Sequence, residues 1–163
     1  MKKLDRTHKI NSTTVIIPLY NEEIRLDYCF DILKKFLKKK DKLLFEIIFV
    51  NDGSTDQSKN KILKFIKRIK EKKFSTKLKL LSYSKNMGKG HAVKKGIFSS
   101  KSEWILTCDL DMSVLPEQYL IWCRRKLIKD TSCAYIASRK HKKSKIKSKF
   151  IRRRLGYIFR LIL

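Results

Sequence analysis

Two aspartates one residue apart, Asp109 and Asp111, are the side chains best suited by type and spacing to do chemistry. They follow the apolar run WILTC at 104–108, so they are expected at the end of a buried strand. Carboxylates spaced in this way can both face a single hard cation, and oxygen ligands suit Mg2+ or Mn2+. A diphosphate beside bare carboxylates would be repelled by about 4 kcal/mol per close charge pair at a moderate effective dielectric. A bridging metal reverses that sign and stabilises negative charge growing on a departing diphosphate. An isolated Asp-x-Asp also fits a solvated turn, so its weight depends on its surroundings.

Three further polar clusters interrupt apolar runs: PLYNE at 18–22, NDGSTD at 51–56 and SKNMGKG at 84–90. Open α/β sheets bind ligands at the carboxyl ends of their strands. Four strand ends carrying carboxylates, glycines and a lysine are therefore expected to converge on one crevice. Asn86-x-Gly88-Lys89-Gly90 suits a phosphate-cradling loop that opens a helix, or an ordinary turn using the freedom of glycine. It lacks the spacing and terminal Lys-Ser/Thr of a Walker A loop. Asp52-Gly53-Ser54 reads either as a turn with a cap or as a carboxylate that hydrogen-bonds a nucleobase. His91 is given no role, and Trp104 and Trp122 are assigned to the core rather than to stacking.

The elements that must position these residues follow from periodicity. Strand-length apolar runs lie at 13–20, 45–50, 78–83, 104–108 and 134–138. The first, second and fourth are almost continuously apolar, which predicts strands buried on both faces of a parallel sheet. Between them, Leu26, Cys29, Phe30, Leu33, Phe36 and Leu37 recur at helical spacing, as do Ile62, Phe65, Ile66 and Ile69. Ser54, Thr55 and Asp56 are candidate N-caps for the second helix. Residues 88–99 and 116–129 are two more helix candidates, the last with proline in its first turn. The alternation predicts an α/β domain with a mainly parallel sheet over 1–139. Residues 140–163 then read as a basic amphipathic helix: 131–163 hold eleven Lys or Arg and no Asp or Glu. Such a helix suits an anionic membrane surface, and equally a face packed on a further part of the protein.

A hydrophobic fraction of 42% excludes compositional disorder. The net charge of +26, from 41 basic and 15 acidic residues, suits nucleic acid, anionic membranes or phosphorylated small molecules. Of the basic residues 31 are Lys and ten are Arg, the bias an AT-rich genome imposes, so the excess alone selects no partner. Cys29, Cys108, Cys123 and Cys133 show neither disulfide nor zinc spacing. Reduced thiols in a cytosolic compartment are the expectation. The polar start resembles no signal peptide, and no run approaches the roughly 20 apolar residues of a spanning helix.

Taken together, VIIPLYNEE (15–23), IIFVNDGSTD (47–56), NMGKGHAVKKG (86–96) and DLDMSVLPE (109–117) resemble the family-2 glycosyltransferases. The blocks occur in the family's order and spacing. The third is most similar to the branch of enzymes that glycosylate dolichyl phosphate. The resemblance implies a three-layer GT-A (Rossmann-like) fold. It implies that Pro18, Tyr20 and Glu22 contact a nucleoside, that Asp52 reads the base, and that Lys89 lies near the donor. It places Asp109 toward the ribose or sugar, Asp111 as principal metal ligand, Ser113 as a further ligand in some relatives, and Arg139 near the diphosphate. The implied reaction is inverting displacement of a hexose from a nucleoside diphosphate-sugar, UDP-glucose favoured, to a polyprenyl or dolichyl phosphate. No acidic residue follows Asp130 to act as base. A phosphate acceptor is already largely ionised at neutral pH and needs none. The implied location is the cytoplasmic face of a membrane, held peripherally by the basic segment.

Family members continue into acceptor-side segments beyond the matching blocks. Donor binding is thus the firmer expectation, and a partner could supply the acceptor side. Two other readings compete. A non-catalytic donor-binding protein would share the fold without the reaction. A nucleic-acid-binding module would explain the charge, but no RNA-recognition, zinc-finger or basic-zipper signature is present, so no nucleic-acid partner is expected.

Overall fold

The first apolar run becomes the spine of a parallel sheet. A computed structural model of the chain describes residues 12–39, 42–72, 74–125 and 134–135. Strand β1 (Thr13–Leu19) lies between β2 (Leu44–Asp52) and β4 (Trp104–Thr107), and β3 (Lys77–Tyr83) flanks β2, giving the order β3-β2-β1-β4. All three pairings are parallel. Helices α1 (Glu23–Leu37), α2 (Ser58–Glu71) and α3 (Lys89–Ser99) make the crossovers, and α4 (Pro116–Arg124) follows β4. This is the expected α/β architecture. The second strand is longer than its apolar run, so Asn51 and Asp52 are strand residues in register with Leu19 and Tyr83.

Period-two alternation sorts side chains into two layers of core. Val15, Ile17, Leu19, Ile47 and Phe49 face one cluster, which holds the buried stripes of α1 and α2 together with Tyr119 and Leu120 of α4. Ile16, Ile48 and Val50 face a second cluster with Ala92 of α3. Helices therefore cover both faces of the sheet. The six apolar residues picked out in α1 and the four in α2 are all buried. Phe30 stacks on Phe65 with ring centroids 4.1 Å apart, and both meet Phe49 edge-on. That trio locks α1 and α2 to β2, and each aromatic pair adds about 0.5–1.5 kcal/mol beyond burial. On the opposite face α3 approaches closely because Gly96 has no side chain. A Cβ there would lie 2.6 Å from Ile16 Cγ2 and 3.2 Å from Val50 Cγ2.

Three expectations need correction. The fourth strand is half-buried rather than buried on both faces, because among the described strands it has only one neighbour, β1. The N-cap of α2 is Gln57, whose side chain makes no capping bond; Asp56 instead accepts the Ser58 N–H at 2.9 Å from one position earlier. The third helix begins at Lys89, with Gly88 outside it at φ 90°. Trp104 and Trp122 pack against the core as expected. Cys29, Cys108 and Cys123 are free thiols. Burial first, and then the neighbouring Cys108, pushes Cys29 up to about 12. Burial, and then the charges of Asp109 and Asp111, does the same to Cys108. Both are inert near neutral pH.

The chain divides into two compact units, Met1–Ser132 and Cys133–Leu163. In the second, Ala134 and Tyr135 are described and belong to no regular element. The rest of the expected fifth strand, residues 126–129 of the fourth helix, and the basic segment 140–163 lie outside the described residues. No helix among the described residues is long and apolar enough to cross a membrane.

Candidate functional site at the carboxyl edge of the sheet

The chain leaves β1 toward β2 on one side, and after β3 it crosses to β4 on the other. The carboxyl ends of β1 and β4 thus flank a topological switch point, where open α/β sheets form their ligand crevice. Pro18 helps to open it. The N–H of Cys108 bonds the Ile16 carbonyl at 2.9 Å, so by alternation the backbone of residue 18 also faces the β4 side. Proline offers no donor there, and the β1–β4 pairing ends at Ile16–Thr107.

Beyond β4 the chain alternates. Cys108, Leu110 and Met112 are buried, whereas Asp109, Asp111 and Ser113 are exposed. Anchoring the apolar residues in the core presents both carboxylates to solvent. Met112 holds a left-handed φ of 51°, an unfavourable conformation for a non-glycine residue that buried packing maintains. Asp111 Oδ1 accepts the backbone N–H of Ser113 at 2.9 Å and its hydroxyl at 2.5 Å. The first residue of α3 meets this turn: Lys89 Nζ lies 2.6 Å from Asp109 Oδ1. Both partners are more than half exposed, so their pairing gives little stability and leaves both groups available to a ligand.

The other strand ends are tied to one another. Asp52 is 3% exposed, and its Oδ1 accepts the Met87 N–H at 2.8 Å. Gly53, at φ 71°, passes so close to Lys85 and Asn86 that a Cβ would lie 2.6 Å from the Asn86 nitrogen. Asn21, at φ 51°, accepts the Thr55 N–H at 2.8 Å, while its own N–H donates to Ser54 Oγ at 2.9 Å. Ser58 Oγ takes the Glu22 N–H at 3.0 Å. Asp56 Oδ2 takes the Glu23 N–H at 3.1 Å, while its Oδ1 holds Ser58. Partial burial pushes the Asp56 carboxyl up, but the Ser58 hydroxyl and these backbone N–H groups outweigh it and hold it below its ordinary value. Tyr20, the residue after β1, is 44% exposed, and Glu22 pairs with Arg25 at 3.2 Å.

Comparison with known proteins adds to this geometry. Residues 14–161 match the profile of the family described as glycosyl transferase family 2. The chain belongs to that family. It is 40% identical over 102 residues to a dolichyl-phosphate beta-glucosyltransferase of Dictyostelium discoideum, covering 60% of this chain and 30% of that one. It is 30% identical over 149 residues to a dolichyl-phosphate beta-glucosyltransferase of Trichomonas vaginalis, covering 88% of this chain and 44% of that one. The chain thus spans less than half the length of these curated relatives. Among solved structures it resembles a mannosyltransferase from Pyrobaculum calidifontis in complex with GDP-Man and Mn2+, at a TM-score of 0.56 and 23% identity. That match covers 77% of this chain and 34% of the other, and it supports the GT-A-like fold.

In this family-2 chain the fold brings Lys89, Asp109, Asp111 and Ser113 to one side of the switch point and Asp52 to the adjoining strand ends. Arg139 lies outside the described residues. In the sequence Asn21, Ser54 and Asp56 stand among the polar strand ends, the last two also as candidate helix caps, without any sign of their mutual pairing, and Ser58 was passed over. Their polar side chains at two strand–helix junctions were the available signal, but only the parallel pairing of β1 with β2 shows that they cap each other's loops. Tyr83 was also passed over, because it reads as the last residue of an apolar strand.

Proposed function

We propose that this chain is the donor-binding half of a metal-dependent inverting glycosyltransferase, moving a hexose from a nucleoside diphosphate-sugar to a polyprenyl or dolichyl phosphate. UDP-glucose is the favoured donor. The observation that carries the reading is the meeting of Lys89 with Asp109 at the switch point, two residues from Asp111. The relatives named as dolichyl-phosphate beta-glucosyltransferases support the sugar and the acceptor.

The donor set fits Mg2+ or Mn2+. Among the described residues no three His, Cys, Asp or Glu side chains gather as a closed metal cage. Mg2+ usually takes one or two carboxylates, waters and substrate phosphate oxygens instead. Asp111 and Asp109 supply the exposed carboxylates, and Ser113 is a candidate further ligand. Bound there, the ion would neutralise diphosphate oxygens and stabilise the leaving charge. Lys89 exchanges its contact with Asp109 for the diphosphate, and Arg139 is proposed to add a second cation. Pro18, Tyr20 and Glu22 border the nucleoside, and Asp52 accepts from the base. The acceptor phosphate oxygen attacks the anomeric carbon as its bond to the diphosphate breaks on the opposite face, which inverts the configuration. Residues 140–163 are proposed to rest on the anionic cytoplasmic face of the membrane that holds the acceptor.

Calorimetric titration with UDP-glucose and Mn2+ tests donor binding. Asp111→Ala should abolish the Mn2+-dependent part, a loss of tenfold or more in affinity for about 1.4 kcal/mol removed, with the fold unchanged by circular dichroism. Unchanged affinity would remove Asp111 as a ligand. Incubation with labelled UDP-glucose and polyprenyl phosphate should yield labelled lipid. Tight oligonucleotide binding without metal-dependent UDP affinity would sink the reading.

A further inference from the structure

Tyr83 ends β3 directly in register with Asp52 at the end of β2. In-register neighbours on parallel strands project to the same face of the sheet, so the phenol and the carboxylate share one corner. The ring is held from two sides. It packs against the cluster of Ile16, Ile48, Val50 and Ala92, and the imidazole of His91 meets it edge-on at 5.5 Å. The hydroxyl is sealed from water and has no hydrogen-bond partner among the described residues. A buried tyrosine oxygen usually finds a partner, and one without a partner calls for an explanation. Asp52 stands beside it: burial first, and then this carboxylate, raises the phenol's pKa well above its ordinary value. The phenol therefore keeps its proton and acts as a donor. Asp52 has committed Oδ1 to the Met87 N–H, but its second oxygen keeps acceptor capacity.

We propose that Tyr83 is a positioning residue for nucleobase recognition, its hydroxyl donating to Asp52 in the ligand-bound site so that the carboxylate presents only acceptors to the base. This rests on the donor-binding reading above and adds a chemical class of base. An ionised carboxylate is acceptor-only, whereas a protonated one is also a donor. Backed by an O–H donor, Asp52 selects bases with an imino N–H at the Watson–Crick edge. Uracil and guanine carry one; cytosine presents a bare acceptor nitrogen there. A carboxylate facing that nitrogen leaves two unpaired acceptors together, the arrangement by which hydrogen-bonding sites reject a wrong ligand. Without the phenol hydroxyl, the carboxylate loses the donor that would fix its second oxygen, and its discrimination between an imino N–H and a bare acceptor nitrogen weakens.

The test measures Mn2+-dependent binding of UDP, GDP and CDP to the full chain, to Tyr83→Phe and to Asp52→Asn. Tyr83→Phe keeps the ring and loses only the hydroxyl, and equal thermal melting of variant and wild type shows that the fold is kept. The preference of the wild type for its better imino-bearing nucleotide over CDP should narrow by about tenfold in Tyr83→Phe, the weight of one charge-assisted hydrogen bond. A merely structural tyrosine would lower all three affinities together, and an unchanged ratio beside a discriminating wild type would overturn the proposal. If the wild type binds nucleotide but Asp52→Asn discriminates as well as it does, Asp52 does not read the base, and the proposal falls while donor binding stands. If the wild type binds no nucleotide at all, both fall.

Discussion

The carboxylate of Asp56 accepts backbone N–H groups from two helices, Ser58 at the start of α2 and Glu23 at the start of α1. Each is an unsatisfied donor of a first turn, and negative charge is favoured at both helix N-termini. Asparagine can accept at only one of its two side-chain heteroatoms. Asp56→Asn should therefore lose one of the two caps and about 1 kcal/mol of stability at neutral pH, measured by denaturant titration. The sign with pH follows from the depressed carboxyl. The stabilisation is full above the unfolded-state value and is lost as pH falls through the lower folded value. The gap between wild type and variant should therefore close in acid, below the ordinary Asp value of 3.8; a gap that persists there would assign the effect to something other than charge. At this scale the sequence made Asp109 and Asp111 easy to read, because alternation around Cys108, Leu110 and Met112 is a local pattern. It hid the bonds from Glu23 to Asp56 and from Thr55 to Asn21, whose ends stand more than thirty residues apart.

Elements were legible where burial follows a period. The stripes of α1 and α2 depend on spacing alone, and all ten of their named residues are buried. The fourth strand misled because apolar composition registers what a strand can bury, while its place beside a single described neighbour decides what it does bury. Helix α3 shows a further limit. Two of its glycines look alike in the sequence but meet different surroundings. Gly96 lies against Ile16 and Val50, whereas Gly90 has open space where a Cβ would be. Gly96→Ala should therefore destabilise by about 1–2 kcal/mol, overpacking less the helix-propensity gain. Gly90→Ala should be neutral or stabilise by up to about 1 kcal/mol. Thermal melting of the two variants checks this, and equal shifts of the same sign would show that α3 does not press on the sheet as described.

For the whole molecule, charge and connectivity have different consequences. The net +26 is a property of the sum, and its effect extends over a Debye length rather than to one partner. We expect the full chain to bind vesicles containing phosphatidylserine and to leave neutral phosphatidylcholine vesicles unbound. Each basic residue at the surface adds about 1 kcal/mol, and binding should fade as salt rises from about 0.01 M to about 1 M and the Debye length shortens from about 30 Å to about 3 Å. Co-sedimentation measures it, and salt-independent binding would point instead to an apolar anchor. Composition made the charge readable but could not assign it to a face, since lysines recur throughout the chain. Connectivity acts at the strand ends. Gly53 presses on the backbone of Lys85 and Asn86, and Asp52 holds the Met87 N–H. Segments 51–56 and 84–88 are therefore one inheritable cassette. A chimera that imports the first from a relative with a different donor, without the second, would carry a mismatched joint, and recombination that respects this chain would exchange the two together.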